Sequence, residues 1–149
     1  MRRTRAVGIA LCTLGALIGV APFLHWYRVD IPGRDLPISG IDAAGELWSL
    51  PLVGAVLVGV GLAIATAVPD PSYRAGRWLA AVGAVAGVFA TAWALKGALT
   101  VRAVAVPTGV TDGPVAPLAA QPLAFLTAAA AACVVCVALA WVRSGSTSV

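Results

Sequence analysis

The sequence predicts an all-α integral membrane protein, a bundle of four transmembrane helices carrying a small extracytoplasmic cap built from its outer loops. Three observations predict it. Hydrophobic residues make up 60% of the 149 residues and charged residues only 11%, against about 25% charged in soluble domains. The apolar residues gather into four runs, about 6–26, 48–68, 78–99 and 123–142, each close to the roughly 20 residues that a helix needs to cross a bilayer. Charges and tryptophans collect at the ends of these runs, where topology signals and interfacial anchors belong. At this length the length prior gives a single domain.

The first run follows a basic cap containing Arg2, Arg3 and Arg5. A basic cap and an apolar run also describe a signal peptide, with Gly19 and Ala21 mimicking a cleavage site. Pro22 would then follow the cut, where it is poorly tolerated, so the run reads as an uncleaved helix. Pro22 should loosen its outer end, because the ring removes a backbone donor and crowds the preceding turn. The outer loop 27–47 opens with Tyr27, Val29 and Ile31 alternating with Arg28 and Asp30, a short strand signal. Pro32-Gly33 and Pro37 end it. Ser39 then stands where it can cap a helix start, with Asp42 near the positive end of the dipole. A brief interfacial helix there would turn Ile41, Leu47 and Trp48 towards the membrane.

Pro51 opens the second run, where a missing amide costs least, and Pro69-Asp70-Pro71 closes it. A short connection through Tyr73, Arg74 and Arg77 leads to the third run. The second outer loop, 100–122, holds prolines at 107, 114, 117 and 122 and a turn signal at Thr111-Asp112-Gly113-Pro114. Its opening, 101–106, is β-prone. Pairing of 27–31 with 101–106 would give the cap two short β strands and bring Arg102 to Asp30 or Asp35. Two strands alone are marginal in water, so such a cap would have to rest on the helix ends.

Charge orients the chain in the cell membrane. With both termini cytoplasmic, the inner side holds Arg2, Arg3, Arg5, Arg74, Arg77 and Arg143 with one acid, Asp70. The outer side holds Arg28, Arg34, Lys96 and Arg102 among five acids, Asp30, Asp35, Asp42, Glu46 and Asp112. The inner arginines crowd the span ends, as the positive-inside rule requires. Trp26, Trp48 and Trp93 fall towards the outer boundary and Trp78 and Trp141 towards the inner one, an aromatic belt. Because basic residues mark span ends, nucleic acid is not an expected partner. The expected partners are the lipid bilayer and either a membrane-protein partner or a second copy of the chain.

Small residues indicate how the helices meet. Gly15 and Gly19 form a GxxxG in the first span and Gly83 and Gly87 another in the third. Ala55 and Gly59 give a small-xxx-small pair in the second, and 128–132 is a run of alanines. Lipid supplies no hydrophobic drive between helices, so close backbone approach must hold them. These faces would pack the four helices of one monomer; the other reading is a homodimer or partner face.

Candidate chemistry is sparse. Cys133 and Cys136 share a helix face, and Cys12 falls at a similar depth, so three thiols could converge. No His, Asp or Glu lies at that depth to complete a metal site, and buried cysteines ordinarily behave as small hydrophobes. Lys96 is the one charge inside a span. Intramembrane charge is a functional hypothesis by default, yet Lys96 lies about a turn from the outer end, within reach of snorkelling or of an outer-loop acid. His25 is the single histidine; it could sense pH or contact a ligand, or simply be an interfacial polar residue. Asp30, Asp35, Asp42 and Glu46 lack the ordered offsets of a calcium loop. No phosphate loop, zincin pattern or GxSxG is present, so no catalytic residue, metal or cofactor is expected.

The layout resembles the small four-span membrane proteins of high-GC Gram-positive bacteria. The basic start, the first span ending in Pro22-Phe-Leu-His-Trp26, Ser39-Gly40, and Leu47-Trp48-Ser49 before the second span carry that resemblance. More distantly it is similar to the tryptophan-operon-associated, Trp-rich membrane protein family, whose activity is unassigned. The layout is also similar to claudin-type tetraspans, without that family's paired outer-loop cysteines. The resemblance implies a membrane bundle and supplies no functional residues. The expected function is therefore non-enzymatic, that of an accessory or structural membrane protein. The alternative is a small oligomeric transporter or channel component using Lys96.

Overall fold

The computed structural model describes residues 2–31, 34–43, 45–67, 73–100, 103–105 and 115–146. Four helices in it are long and apolar enough to cross a membrane: Thr4–Phe23, Glu46–Thr66, Arg74–Leu99 and Pro122–Ser144. These are the dimensions of a multi-pass helical membrane protein. Each expected span coincides with one of them to within about a turn.

The chain begins with α1 (Arg2–Val20) and tightens into a 3-10 turn at Ala21–Phe23, with Pro22 in its first turn. The missing proline amide thus ends α1, as its position implied. The first span is shorter than expected, because 25–26 belong to strand β1 (His25–Ile31). Strand β2 (Arg34–Ser39) follows, then the single-turn α2 (Gly40–Ala43) and a 3-10 turn at Gly45–Trp48. The Ser39 hydroxyl accepts the Asp42 amide at 3.2 Å and donates to the Asp42 carboxylate. The first bond is the N-cap that starts α2 after β2, and the second ties the two side chains together.

Three elements complete the bundle and two the cap. Helix α3 is Ser49–Thr66 and α4 is Arg74–Leu99. Strands β3 (Ala103–Ala105) and β4 (Val115–Ala120) precede α5 (Pro122–Ser146). Pro122 opens α5, where an absent amide costs nothing. Helix α4 starts a turn before the expected third span, so Arg74 and Arg77 are helical rather than loop residues.

The helices close a ring. Packing is most extensive between α1 and α3 and between α4 and α5, and α3–α4 and α5–α1 contacts join the two pairs. The first pair approaches to backbone contact. A Cβ on Gly8 would lie 2.6 Å from the Gly61 carbonyl oxygen, and one on Gly54 would lie 2.6 Å from that of Gly15. Both helices carry these glycines two turns apart, so Gly8 meets Gly61 and Gly15 meets Gly54 in antiparallel register. Cys12, between the two rungs, donates its thiol to the Val58 carbonyl at 3.5 Å. Gly19 also faces Gly54, at 3.6 Å. The small pair of the second span does not pack within the monomer: Ala55 and Gly59 are exposed, and a Cβ on Gly59 would meet nothing within 4 Å. The helix turns Gly54 and Gly61 inward instead. In α4, Gly87 meets Val134 and Val135 of α5 at about 3 Å, whereas Gly83 has ordinary room beside Val60.

The cap is a sheet of four antiparallel strands in the order β2-β1-β4-β3. The expected two-strand pairing is therefore corrected. Strand β1 pairs with β4, through Tyr27↔Ala120, Arg28↔Ala119 and Val29↔Leu118, and 103–105 reaches only β4. The cause lies in the bundle. Strand β1 follows the C-terminal end of α1 and β4 leads into α5, and these helices are neighbours. The Gln121 amide donates to the Trp26 carbonyl at 2.7 Å where the two chains meet. Strand order thus follows helix order. Arg102, expected to meet Asp30 or Asp35, lies outside the described residues.

Candidate functional site

The richest cluster of polar and aromatic groups sits where the cap meets the bundle. Trp26 and Tyr27, the second and third residues of β1, are both buried. The Trp26 indole donates to the Ala21 carbonyl at 2.6 Å, an oxygen that also accepts the Leu24 amide at 3.0 Å in the 3-10 turn. The Tyr27 hydroxyl donates to the Gly97 carbonyl of α4 at 2.6 Å. Glycines fit closely on two sides of this seat. A Cβ on Gly40 would lie 3.0 Å from the Trp26 ring, and one on Gly97 would lie 3.3 Å from Trp26, Leu47 and the Tyr27 oxygen. Leu47 is buried here rather than turned to the membrane, because the 3-10 turn directs it under the cap.

Lys96 lies at the rim of the same seat. Its Nζ is 2.6 Å from Glu46 Oε2 and 4.5 Å from the centroid of the Trp93 ring. Both charged side chains are about half exposed. Lys96 thus reaches from the cap end of α4 to an acid in the turn before α3 while its ammonium rests on an indole face. Phe89 packs edge-on against the other part of Trp93, at 5.6 Å between centroids.

The remaining candidates are dispersed. His25 is exposed and lines an open depression of about 270 Å³ with Tyr27, Arg28, Pro37 and Gln121. Asp42 is exposed and its carboxylate is taken by the Ser39 cap. Asp30 stands opposite Asp35 in the β1–β2 register; their side chains lie outside the described residues. The thiols do not converge. Cys12 faces α3, while Cys133 and Cys136 are exposed on α5. No group of three or more His, Cys, Asp or Glu that could hold a metal occurs among the described residues.

The tryptophans divide. Trp48 and Trp78 are more than half exposed near opposite ends of the bundle, as interfacial anchors would be. Trp26 and Trp141 are buried instead, which corrects their assignment to the belt. An aromatic residue at a span end can face lipid or fold back under a cap, and the side is decided by packing. Trp141 packs among the helices with its Nε1 unpartnered among the described residues. Sequence reasoning missed Tyr27, Gly40, Gly97, Gly8, Gly54 and Gly61 as structural determinants. A tyrosine in a strand next to a tryptophan was the only available signal for the cap seat.

No family model matches the chain, and neither a curated protein nor a solved structure is found to be similar to it.

Proposed function

We propose that this protein is a non-enzymatic accessory or structural component of the cell membrane, with both termini cytoplasmic and the cap serving as its outer interaction surface. The observation that carries the reading is how the polar groups are used. Thr4 and Thr127 are the buried polar side chains among the described residues, and the Thr127 hydroxyl is bonded to the Leu123 carbonyl in its own helix. A solute or ion path needs polar or ionisable lining through the membrane. Three of the larger polar side chains are engaged at the cap instead: Tyr27 with Gly97, Trp26 with Ala21 and Lys96 with Glu46. The orientation is supported by Arg5, Arg74, Arg77 and Arg143, which stand at the ends of α1, α4 and α5 away from the cap.

The test is affinity purification through a tag after Val149 in mild detergent, with quantitative mass spectrometry of co-purifying proteins. A stoichiometric membrane partner, lost when the cap is altered at Arg28 or Asp42, is the expected result. A chain that copurifies with nothing and conducts ions or solutes in liposomes, with conduction lost in Lys96→Met, would overturn the proposal in favour of transport.

A further inference from the structure

At the end of the bundle away from the cap, two cavities adjoin on the surface of α4. The first, of about 460 Å³, is lined by Arg74, Arg77, Trp78 and Ala81. The second, of about 400 Å³, shares Trp78 and Ala81 with it and continues along Val82, Val85 and Phe89, with Val53 of α3 opposite. One is cationic and the other apolar throughout. From Trp78 to Phe89 the helix rises about 16 Å, which matches the roughly 15 Å depth of one hydrocarbon leaflet.

We infer that this continuous groove is a binding site for one anionic phospholipid of the leaflet on the side of the termini. Arg74 and Arg77 receive the phosphate, and an acyl chain lies along Trp78, Val82, Val85 and Phe89. Charge complementarity selects the headgroup. Both guanidiniums are exposed, have no acidic partner among the described residues, and present planar donor forks suited to phosphate oxygens. They also stand in the first turn of a long helix that has no acidic residue there and no side-chain cap. Two cations at the positive pole of a helix repel it, and an anion placed between them offsets that repulsion. Shape selects the tail. The alanine at 81 leaves a gap beside the half-exposed Trp78, Val82 and Phe89, and the lining beyond the arginines offers no hydrogen-bonding side chain except the Trp78 indole. A soluble phosphate would use the first cavity and leave the second unfilled.

The inference rests on the membrane-embedded reading, and one experiment separates the two. The full chain is reconstituted in phosphatidylcholine vesicles containing a minor fraction of brominated lipid, either phosphatidylglycerol or phosphatidylcholine, and indole fluorescence is followed. The Trp78 signal is the difference between the wild type and Trp78→Phe. Brominated phosphatidylglycerol should quench it more strongly than brominated phosphatidylcholine at equal mole fraction, corresponding to enrichment on the order of tenfold for two arginines. Arg74→Gln combined with Arg77→Gln should make the two lipids equal while leaving quenching by phosphatidylcholine in place. Equal quenching of the wild type by both lipids, or a preference that survives the double substitution, would overturn the site. A preference abolished by inorganic phosphate at constant ionic strength would reassign it to free phosphate. If neither lipid quenched any indole, the membrane-embedded reading itself would fail.

Discussion

The α1–α3 seam makes a quantitative demand on Gly54. A β-carbon there would lie 2.6 Å from the Gly15 carbonyl oxygen and 2.6 Å from the Gly19 Cα. Both obstacles are backbone, so no rotamer change relieves them. Ordinary contact needs close to an ångström more, and the helices must separate by about that much. Overpacking of this kind costs about 1–3 kcal/mol, while removing a helical glycine returns about 0.5–1 kcal/mol. Gly54→Ala should therefore destabilise the bundle by about 1–2 kcal/mol. Gly61→Ala, whose Cβ would meet the Gly8 carbonyl at 2.6 Å, should cost a similar amount. Combined, the two should cost less than their sum, because a rigid helix already displaced at one rung has partly cleared the other. Gly59→Ala is the control on the same helix. Nothing lies within 4 Å of its Cβ, so it should be neutral or slightly stabilising. The assay is unfolding by sodium dodecyl sulfate in mixed micelles, read by tryptophan fluorescence. Maleimide labelling of Cys12, in a background with Cys133 and Cys136 replaced by alanine, gives a second readout, since Cys12 lies between the rungs. The argument fails if Gly54→Ala and Gly59→Ala unfold together.

Other substitutions probe the cap and the outer surface. Tyr27→Phe removes a buried hydrogen bond to the Gly97 carbonyl and should cost about 1–2 kcal/mol, with faster proteolysis of the cap in folded protein as the local readout. Lys96→Met removes a half-exposed ion pair with Glu46; such pairs contribute about 0–1 kcal/mol, so stability should change little and become less sensitive to salt. Replacing Cys133 and Cys136 by alanine together should leave the unfolding midpoint within about 0.5 kcal/mol of wild type, because both are exposed on α5. A larger loss would show that they contact something the monomer lacks.

The four spans were legible because lipid imposes a simple requirement on composition and length. The Ser39 cap was legible because it is local, with donor and acceptor three residues apart. What failed depended on facts distributed over distant elements. The Gly8–Gly61 and Gly15–Gly54 rungs are properties of two helices in register, whereas a GxxxG motif is a property of one. That is why Ala55 and Gly59 looked equivalent to Gly54 and Gly61 and are not. Strand β4 was concealed by Pro114 and Pro117. The structure accommodates Pro117 because β4 pairs with β3 over 115–117 and with β1 over 118–120, so the proline stands where the ladder changes sides. Pro37 is tolerated for the related reason that β2 is an edge strand.

Cap and bundle are joined by direct contacts. A small sheet in water would be unstable on its own, and this one is not left to itself. Its two central strands lead directly from and into neighbouring helices, and β1 sends Trp26 back to the 3-10 turn at the end of α1 and Tyr27 across to α4. A displacement of α1 or α4 therefore moves an anchor of the sheet. The converse also holds, because Tyr27 and Leu47 occupy the C-terminal end of α4 where Gly97 leaves room for them. A partner that grips the cap would thus act on the helix ring without entering the membrane. The α1–α3 seam, where backbone touches backbone, is the part of the ring with least room to give.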